Sequence, residues 1–164
     1  MVWCLDTLME LTMSVAVRSP EREPAVIADR IWSDANQRRV DEAFRLLGAL
    51  AARIVTDPNP ALYCLDLSSQ DGMLQTVWCR DGATGGLLPV PTEEGDEPGP
   101  AAITAGAYGL VNAERYVRAQ KALSHLLVEL TRPGCHGSAT LRVRGVAGEI
   151  ADELRAESHR QWRF

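Results

Sequence analysis

The chain has 164 residues, of which 46% are apolar and 24% are charged, and its formal net charge is −5. This length suits a single domain with a sizeable core, and the composition excludes a wholly disordered chain. Residues 61–110 carry seven acids and one arginine, whereas residues 132–164 carry four acids and six arginines. We expect no nucleic-acid partner, because such binding usually requires a strongly basic domain.

The N-terminal residues lack both the basic start and the long apolar stretch of a secretion signal. No apolar run approaches the roughly 18 residues that a membrane span requires. We therefore expect a soluble cytoplasmic protein with no membrane association. Its four cysteines (Cys4, Cys64, Cys79 and Cys135) are then expected to be free thiols.

The first half of the chain contains one predicted strand and two predicted helices. Apolar and mostly polar residues alternate over 7–17, which predicts a half-buried strand. Ser19, Pro20 and Glu21 have the features of a helix start. A second helix is predicted from about Asn36 to Val55, and its apolar stripe is Val40, Phe44, Leu47, Ala51 and Ile54.

Residues 61–80 have the pattern of a β-hairpin. Asp71-Gly72 favours a two-residue type I′ turn, because both central positions need positive φ. Counting outward from that turn predicts that Leu65 lies opposite Trp78 and that Cys64 lies opposite Cys79.

The remainder of the chain begins with turn-rich residues. Residues 91–102 are acidic and rich in proline, which predicts a mobile loop within the domain. A long helix is predicted over 112–131, followed by a strand over 139–144, and the spacing of Val146, Ile150 and Leu154 predicts a last helix. The strand–turn–helix pattern predicted for 15–31 resembles the one predicted for 141–154, which is a weak internal repeat.

Together these elements predict an α+β protein with one domain spanning 1–164. The sheet is expected to be mostly antiparallel, with a central β-hairpin at about 61–80 and three to four helices packed on one face.

Two sites that depend on cysteines can be constructed from these residues. If Cys64 and Cys79 are cross-strand neighbours they could be redox-active, although reduced thiols are the simpler interpretation. Adding Cys135 and His136 gives four candidate zinc ligands, but the spacing contains no Cys-x₂₋₄-Cys pair, so we expect no metal.

A nucleophilic site is the main catalytic alternative. Cys135 lies in a glycine-rich turn between Gly134 and Gly137, and His136 or His125 could act as its base. No carboxylate that would orient the base can be identified.

The strongest candidates for partner binding are an acidic run and the C-terminus. Four acids would attract a basic partner through long-range steering: Glu93, Glu94, Asp96 and Glu97. The terminal residues Trp162, Arg163 and Phe164 include types that often dominate interface energies.

We therefore expect a non-catalytic protein that binds another protein, as an accessory subunit, regulator or inhibitor in a bacterial or phage cytosol. Homo-oligomer formation is compatible with the sequence, and no cofactor is expected. A small cysteine-dependent enzyme and a small-molecule-binding regulatory domain are the alternatives.

Overall fold

The computed structural model describes residues 33–88 and 100–162, with the backbone alone for 160–162. These residues belong to one compact unit that spans Trp32–Phe164. The predicted strand at 7–17, the helix that follows it and most of the 91–102 loop lie outside the described residues. The assignment of the whole chain to a single domain stays a prediction.

The described residues form an α+β fold. Its elements in chain order are α1 (Asp34–Thr56), β1 (Ala61–Gln70), β2 (Met73–Asp81), α2 (Pro100–Thr104), α3 (Leu110–Leu130), β3 (Cys135–Val146) and β4 (Glu149–Trp162). The four strands make one sheet in the order β2-β1-β3-β4, with every neighbouring pair antiparallel. Helices α1 and α3 pack against one face of the sheet, and α2 packs against these two helices. The predicted α+β fold class is confirmed.

Helix α1 forms where the apolar stripe predicted it. The Ser33 hydroxyl caps its first turn by accepting a hydrogen bond from the Asn36 N–H at 3.3 Å. The stripe residues Val40, Leu47 and Ile54 are buried, and they face the sheet together with the apolar side of α3. The core therefore lies between the helices and one face of the sheet.

The first hairpin has the predicted turn but a different register. Asp71 and Gly72 have φ of 55° and 77°, as a type I′ turn requires, and Gln70 pairs with Met73. A β-bulge opposite the Ser68–Ser69 step then inserts one extra residue in β2.

Beyond this bulge the predicted pairing is wrong by one residue. Leu65 pairs with Cys79 and Cys64 pairs with Arg80, whereas Trp78 lies opposite Asp66. One extra residue exchanges the two faces of a strand, because side chains alternate with a period of two. Cys64 and Cys79 consequently lie on opposite faces of the sheet.

The predicted last helix is also wrong, because residues 149–162 form β4. Ala147 and Gly148, with φ of 54° and 79°, make a second two-residue turn that joins β3 to β4. A spacing of four residues places Ile150 and Leu154 on one face of a strand as well as of a helix. That spacing could not distinguish the two structures.

The two halves of the fold repeat each other at an offset of 76 residues, which becomes 77 in β4 from Leu154 onward. Helix α1 and its hairpin correspond to α3 and the second hairpin, so that Gly72 corresponds to Gly148. The second hairpin also has an irregularity near the equivalent place, between Val143 and Gly145, but the pairing shifts there by two residues rather than one. Seven residues of 34–81 recur at that offset: Asn36, Arg39, Ala43, Leu47, Leu50, Leu65 and Gly72.

An approximate two-fold axis relates these halves. Leu65 of β1 pairs with its own equivalent, Leu141 of β3, at the centre of the sheet. This repeat differs from the weak resemblance between 15–31 and 141–154 in the sequence. The first of those segments lies outside the described residues, and the second spans the end of β3 and the beginning of β4 and contains no helix.

Candidate functional site

The side of the sheet away from the helices carries a group of arginines. Side chains alternate along a strand, so the burial of Leu65 and Leu141 against the helices directs their strand neighbours to the other side. We call the resulting surface the arginine face, after its four cationic residues Arg80, Arg142, Arg144 and Arg155.

The strand pairing brings three of these arginines into one row. Arg80, Cys64, Arg142 and Arg155 are successive partners across β2, β1, β3 and β4. Cys64 is fully buried between them, and the Arg142 Nη1 donates to its Sγ at 3.5 Å. The arginines therefore cover the thiol.

Two of the four guanidinium groups are paired with carboxylates. The Arg80 Nε lies 2.5 Å from the Asp66 Oδ2, and the Thr140 hydroxyl donates to the other oxygen of Asp66 at 2.7 Å. The Arg142 Nη2 donates to the Glu157 Oε1 at 3.1 Å. These hydrogen bonds raise the pKa of Arg80 and of Arg142 above its ordinary value, so both remain charged.

The other two arginines, Arg144 and Arg155, are exposed. Within residues 33–88 and 100–162 neither forms an ion pair. They border a shallow cleft of about 330 Å³ whose lining is Leu62, Arg142, Arg144, Glu153, Arg155 and Glu157. The three arginines of the lining exceed its two glutamates by one charge. Since guanidinium groups bind carboxylates and phosphates through paired N–H donors, the cleft can hold one anionic group.

Trp78 adds an apolar element at one side of the arginine face. It lies on the edge strand β2, opposite Asp66, and 46% of its surface is exposed. An exposed tryptophan beside arginines is a combination that often contributes much of the energy of a protein interface.

The structure does not bring the proposed nucleophile and its bases together. Cys135 is fully buried on the helix side of β3, and in the described part of the chain its Sγ accepts a side-chain hydrogen bond only from the Ser69 hydroxyl, at 3.9 Å. His136 follows it on the strand and projects to the opposite face. His125 is exposed on α3.

The four candidate zinc ligands are likewise divided between the two faces. Cys79 and Cys135 lie on the helix side, whereas Cys64 and His136 lie on the other side. No group of three or more metal-ligating side chains occurs among the residues with described positions. The three described thiols are free, and burial raises the pKa of Cys79 to about 12.

Most of the predicted partner-binding residues lie outside the described part of the chain. These are Glu93, Glu94, Asp96, Glu97, Arg163 and Phe164. Trp162 is the last residue of β4, and its backbone pairs with that of Cys135.

Sequence reasoning did not identify the arginine face. The outward orientation of Arg142 and Arg144 follows from their alternation with Leu141 and Val143. Arg155, however, directly follows Leu154 in the predicted last helix. Only the second hairpin places it beside Arg142.

No helix in the described ranges is both long enough and apolar enough to cross a lipid bilayer. Comparisons of the chain with protein-family models, with curated proteins and with solved structures gave no match.

Proposed function

We propose that this chain is a non-catalytic binding protein that docks on an acidic region of a partner protein through its arginine face. Its role would be that of an accessory subunit, regulator or inhibitor in a bacterial or phage cytosol. The observation that carries the proposal is the pair of exposed guanidinium groups, Arg144 and Arg155, which lack a carboxylate partner within the described residues.

The geometry of the face supports a carboxylate as the bound group. The guanidinium groups of Arg80 and Arg142 already hold carboxylates of this chain, Asp66 and Glu157. Arg144 and Arg155 offer the same chemistry at the cleft, and the nearby Leu62 provides an apolar surface. Trp78 could serve as an anchor at the other side of the face.

The sequence alone favours a basic partner, because of the acidic run Glu93–Glu97. A partner with both acidic and basic regions would satisfy both surfaces. In that case the acidic run would contribute mainly to the association rate, and the terminal residues Trp162–Phe164 remain a further candidate contact.

Substitution of Arg144 tests the proposal. Affinity capture from host extract, with identification by mass spectrometry, would compare the unaltered chain, Arg144→Glu and Arg38→Glu. Arg38 is a matched control, because it is an exposed arginine on α1, away from the arginine face. We expect one partner to be recovered with the unaltered chain and the control, and about tenfold less with Arg144→Glu.

Recovery should also fall as salt is added, because exposed charges are screened beyond about 8 Å at physiological ionic strength. Equal recovery of the same partner with Arg144→Glu would contradict the proposed surface. Parallel variants with the four acids of 93–97 neutralised, or with the last three residues removed, test the two surfaces predicted from the sequence.

Thiol reactivity separates binding from cysteine-dependent catalysis. In a Cys4→Ser variant the three remaining thiols are buried, so we expect a thiol reagent to react slowly in buffer and with three groups in denaturant. A single fast-reacting thiol at Cys135 would favour the enzyme instead.

The cleft favours a second candidate function, the binding of a small anionic molecule. A volume of about 330 Å³ is at the lower end for small-molecule sites. Thermal denaturation with phosphate, citrate and nucleotides tests it, since a ligand that binds the folded state raises the melting temperature. If a ligand stabilises the unaltered chain but not Arg144→Glu, and no protein partner is captured, the small-molecule function replaces the first proposal.

A further inference from the structure

Strand β4 is at one edge of the sheet, and the beginning of that edge is already covered. The Ile150 N–H donates to the Asn112 Oδ1 at 2.8 Å, and the Ile150 carbonyl accepts from the Arg115 Nη1 at 2.6 Å. Helix α3 therefore satisfies the outward backbone groups there. From Leu154 to Ser158, no group in the described ranges bonds to the outer edge.

The second turn determines which backbone groups point outward. Val146 and Glu149 close the turn as a hydrogen-bonded pair, so the next pair, Gly145 and Ile150, directs its backbone groups away from the β3–β4 ladder. The even-numbered residues of β3 therefore direct their backbone N–H and C=O groups toward β4.

This alternation continues beyond the irregularity in the second hairpin. Arg155 pairs with Arg142 and consequently directs its N–H and C=O toward β3. Its neighbours Leu154 and Ala156, and then Ser158, present their backbone N–H and C=O groups to the free edge.

We propose that this edge binds a second copy of the same chain by antiparallel pairing of the two β4 strands, with Ala156 opposite Ala156. In this register Arg155 faces Glu157 of the second copy, and Glu153 faces its His159. By symmetry each of these pairs occurs twice. The charged pairs fall at non-hydrogen-bonded positions, where side chains of an antiparallel ladder are closest.

The neighbouring registers fit less well. Centring the pair on Leu154 places Ser158 of the second copy opposite Ile150, whose backbone groups are already bonded to α3. Centring it on Ser158 leaves Arg155 opposite Gln161. Parallel pairing in register would place Arg155 opposite Arg155.

Charges on an edge strand commonly prevent association between sheets. Here the opposite charges of Arg155 and Glu157 face one another only when the second strand is antiparallel and centred on Ala156, which favours one copy over most other strands. The surface is small, which favours reversible association at micromolar concentration rather than an obligate dimer.

Sedimentation velocity on the full chain tests the proposal over about 10 to 500 μM, a range suited to a small interface. Arg155→Glu and Glu157→Arg each place like charges opposite one another, so each variant alone should dimerise about tenfold more weakly. A mixture of the two should dimerise again, because each Glu then faces an Arg. Arg38→Glu is the control and should dimerise like the unaltered chain.

Ala156→Pro provides a second test that does not depend on charge. Its N–H points outward, so proline removes a hydrogen bond to the second copy and none to β3, and edge strands tolerate proline. We expect a monomer with an unchanged circular dichroism spectrum. Should this variant lose its fold, the mixing experiment decides the question.

Three results would overturn the proposal: a monomer at every concentration, a dimer unaffected by these variants, or no recovery on mixing. A monomer in which the Ala156 and Ser158 amides exchange slowly would mean that another segment of this chain occupies the edge. This inference shares Arg155 with the proposed function, but the tests of the two are distinct. Arg144→Glu leaves the β4 edge unchanged, whereas Ala156→Pro removes the pairing at that edge and leaves both exposed arginines in place.

Discussion

Asn36 and Asn112 make the same pair of bonds in the two halves of the fold. Each is the third residue of its helix and is buried. The Asn36 Nδ2 donates to the Gly72 carbonyl at 2.9 Å and its Oδ1 accepts from the Leu74 N–H at 2.8 Å. Asn112 bonds in the same way to Gly148 and Ile150, at 3.2 and 2.8 Å. Each asparagine side chain thus links the first turn of its helix to the turn of the hairpin that follows that helix.

Loss of either amide should therefore destabilise the fold substantially. We expect Asn36→Ala and Asn112→Ala each to lower the free energy of unfolding by about 2 to 4 kcal/mol, because a buried backbone N–H and a carbonyl lose their partners. Urea denaturation measures the effect. Asn59→Ala, at an exposed position, should change stability by less than about 0.5 kcal/mol, and a similarly small effect at Asn36 would contradict this role.

The second turn contains a residue that its conformation does not favour. Ala147 has φ of 54°, where its counterpart in the first turn is Asp71. A left-handed conformation costs an alanine roughly 1 kcal/mol, and asparagine and glycine tolerate it better. Ala147→Asn and Ala147→Gly should each raise the free energy of unfolding, by about 0.5 to 1 kcal/mol.

Ala83→Gly is the matched control for that prediction. Ala83 is exposed and its φ is not positive. Glycine should be neutral or slightly destabilising there, because it adds freedom to the unfolded chain. Equal effects at both positions would mean that the turn conformation at Ala147 is not strained.

Gly145 allows α1 to approach the sheet closely. A Cβ at this position would lie 2.6 Å from the Ile54 Cγ2 and 2.9 Å from its Cγ1. Gly145→Ala should therefore destabilise the protein by about 1 to 3 kcal/mol. Gly86→Ala should not, because an added Cβ there would lie 3.5 Å from the Thr84 Oγ1, which is an ordinary contact.

A double-mutant cycle isolates this contact. Ile54→Ala removes the two atoms that an added methyl would meet, so the double variant should lose less stability than the sum of the two single variants. The expected coupling is about 1 kcal/mol. Additive effects would show that the cost at Gly145 arises elsewhere.

Alkaline pH should weaken the fold. Burial, together with the charge of Asp66, raises the pKa of Cys79 from 9.0 to about 12, and burial raises the pKa of Tyr116 from 10.0 to about 12. Both groups are more acidic in the unfolded chain, so their contribution to stability is complete below pH 9 and is lost between pH 9 and 12.

For Cys79 the loss should be about 1.4 kcal/mol at pH 10, one unit above the pKa of the unfolded thiol. Urea denaturation at pH 7 and pH 10 measures it. Cys79→Ala removes this thiol, so the variant should lose about that much less stability between the two pH values, whatever its stability at pH 7. An identical loss in both proteins would contradict the assignment to Cys79.

The two long helices, α1 and α3, and the first turn could be predicted because their signals are local. The stripe from Val40 to Ile54 and the Asp71-Gly72 pair define their elements without reference to the rest of the chain. The bulge in β2 has no such signal, since Gln75 is an ordinary strand residue, and it exchanged the predicted faces of Trp78 and Cys79.

The arginine face depends on contacts that are distant in the sequence. Cys64 and Arg142 become neighbours only when β1 pairs with β3. Arg155 could not be placed because Ala147 is an uncommon residue for a type I′ turn and the spacing of Ile150 and Leu154 also fits a helix. The 76-residue repeat has only seven identical residues over 34–81. Its equivalent hydrogen bonds and turns reveal the repeat more clearly than the sequence does.

The pairing of Leu65 with Leu141 also bears on how fast the protein folds. Each helix and its hairpin can form through contacts that are short in the sequence, whereas the ladder between β1 and β3 joins residues 76 positions apart. Closing so long a loop costs entropy before the ladder can stabilise it. Docking of the two halves should therefore limit the refolding rate, and substitutions along the β1–β3 ladder should slow refolding more than equally destabilising ones at either turn.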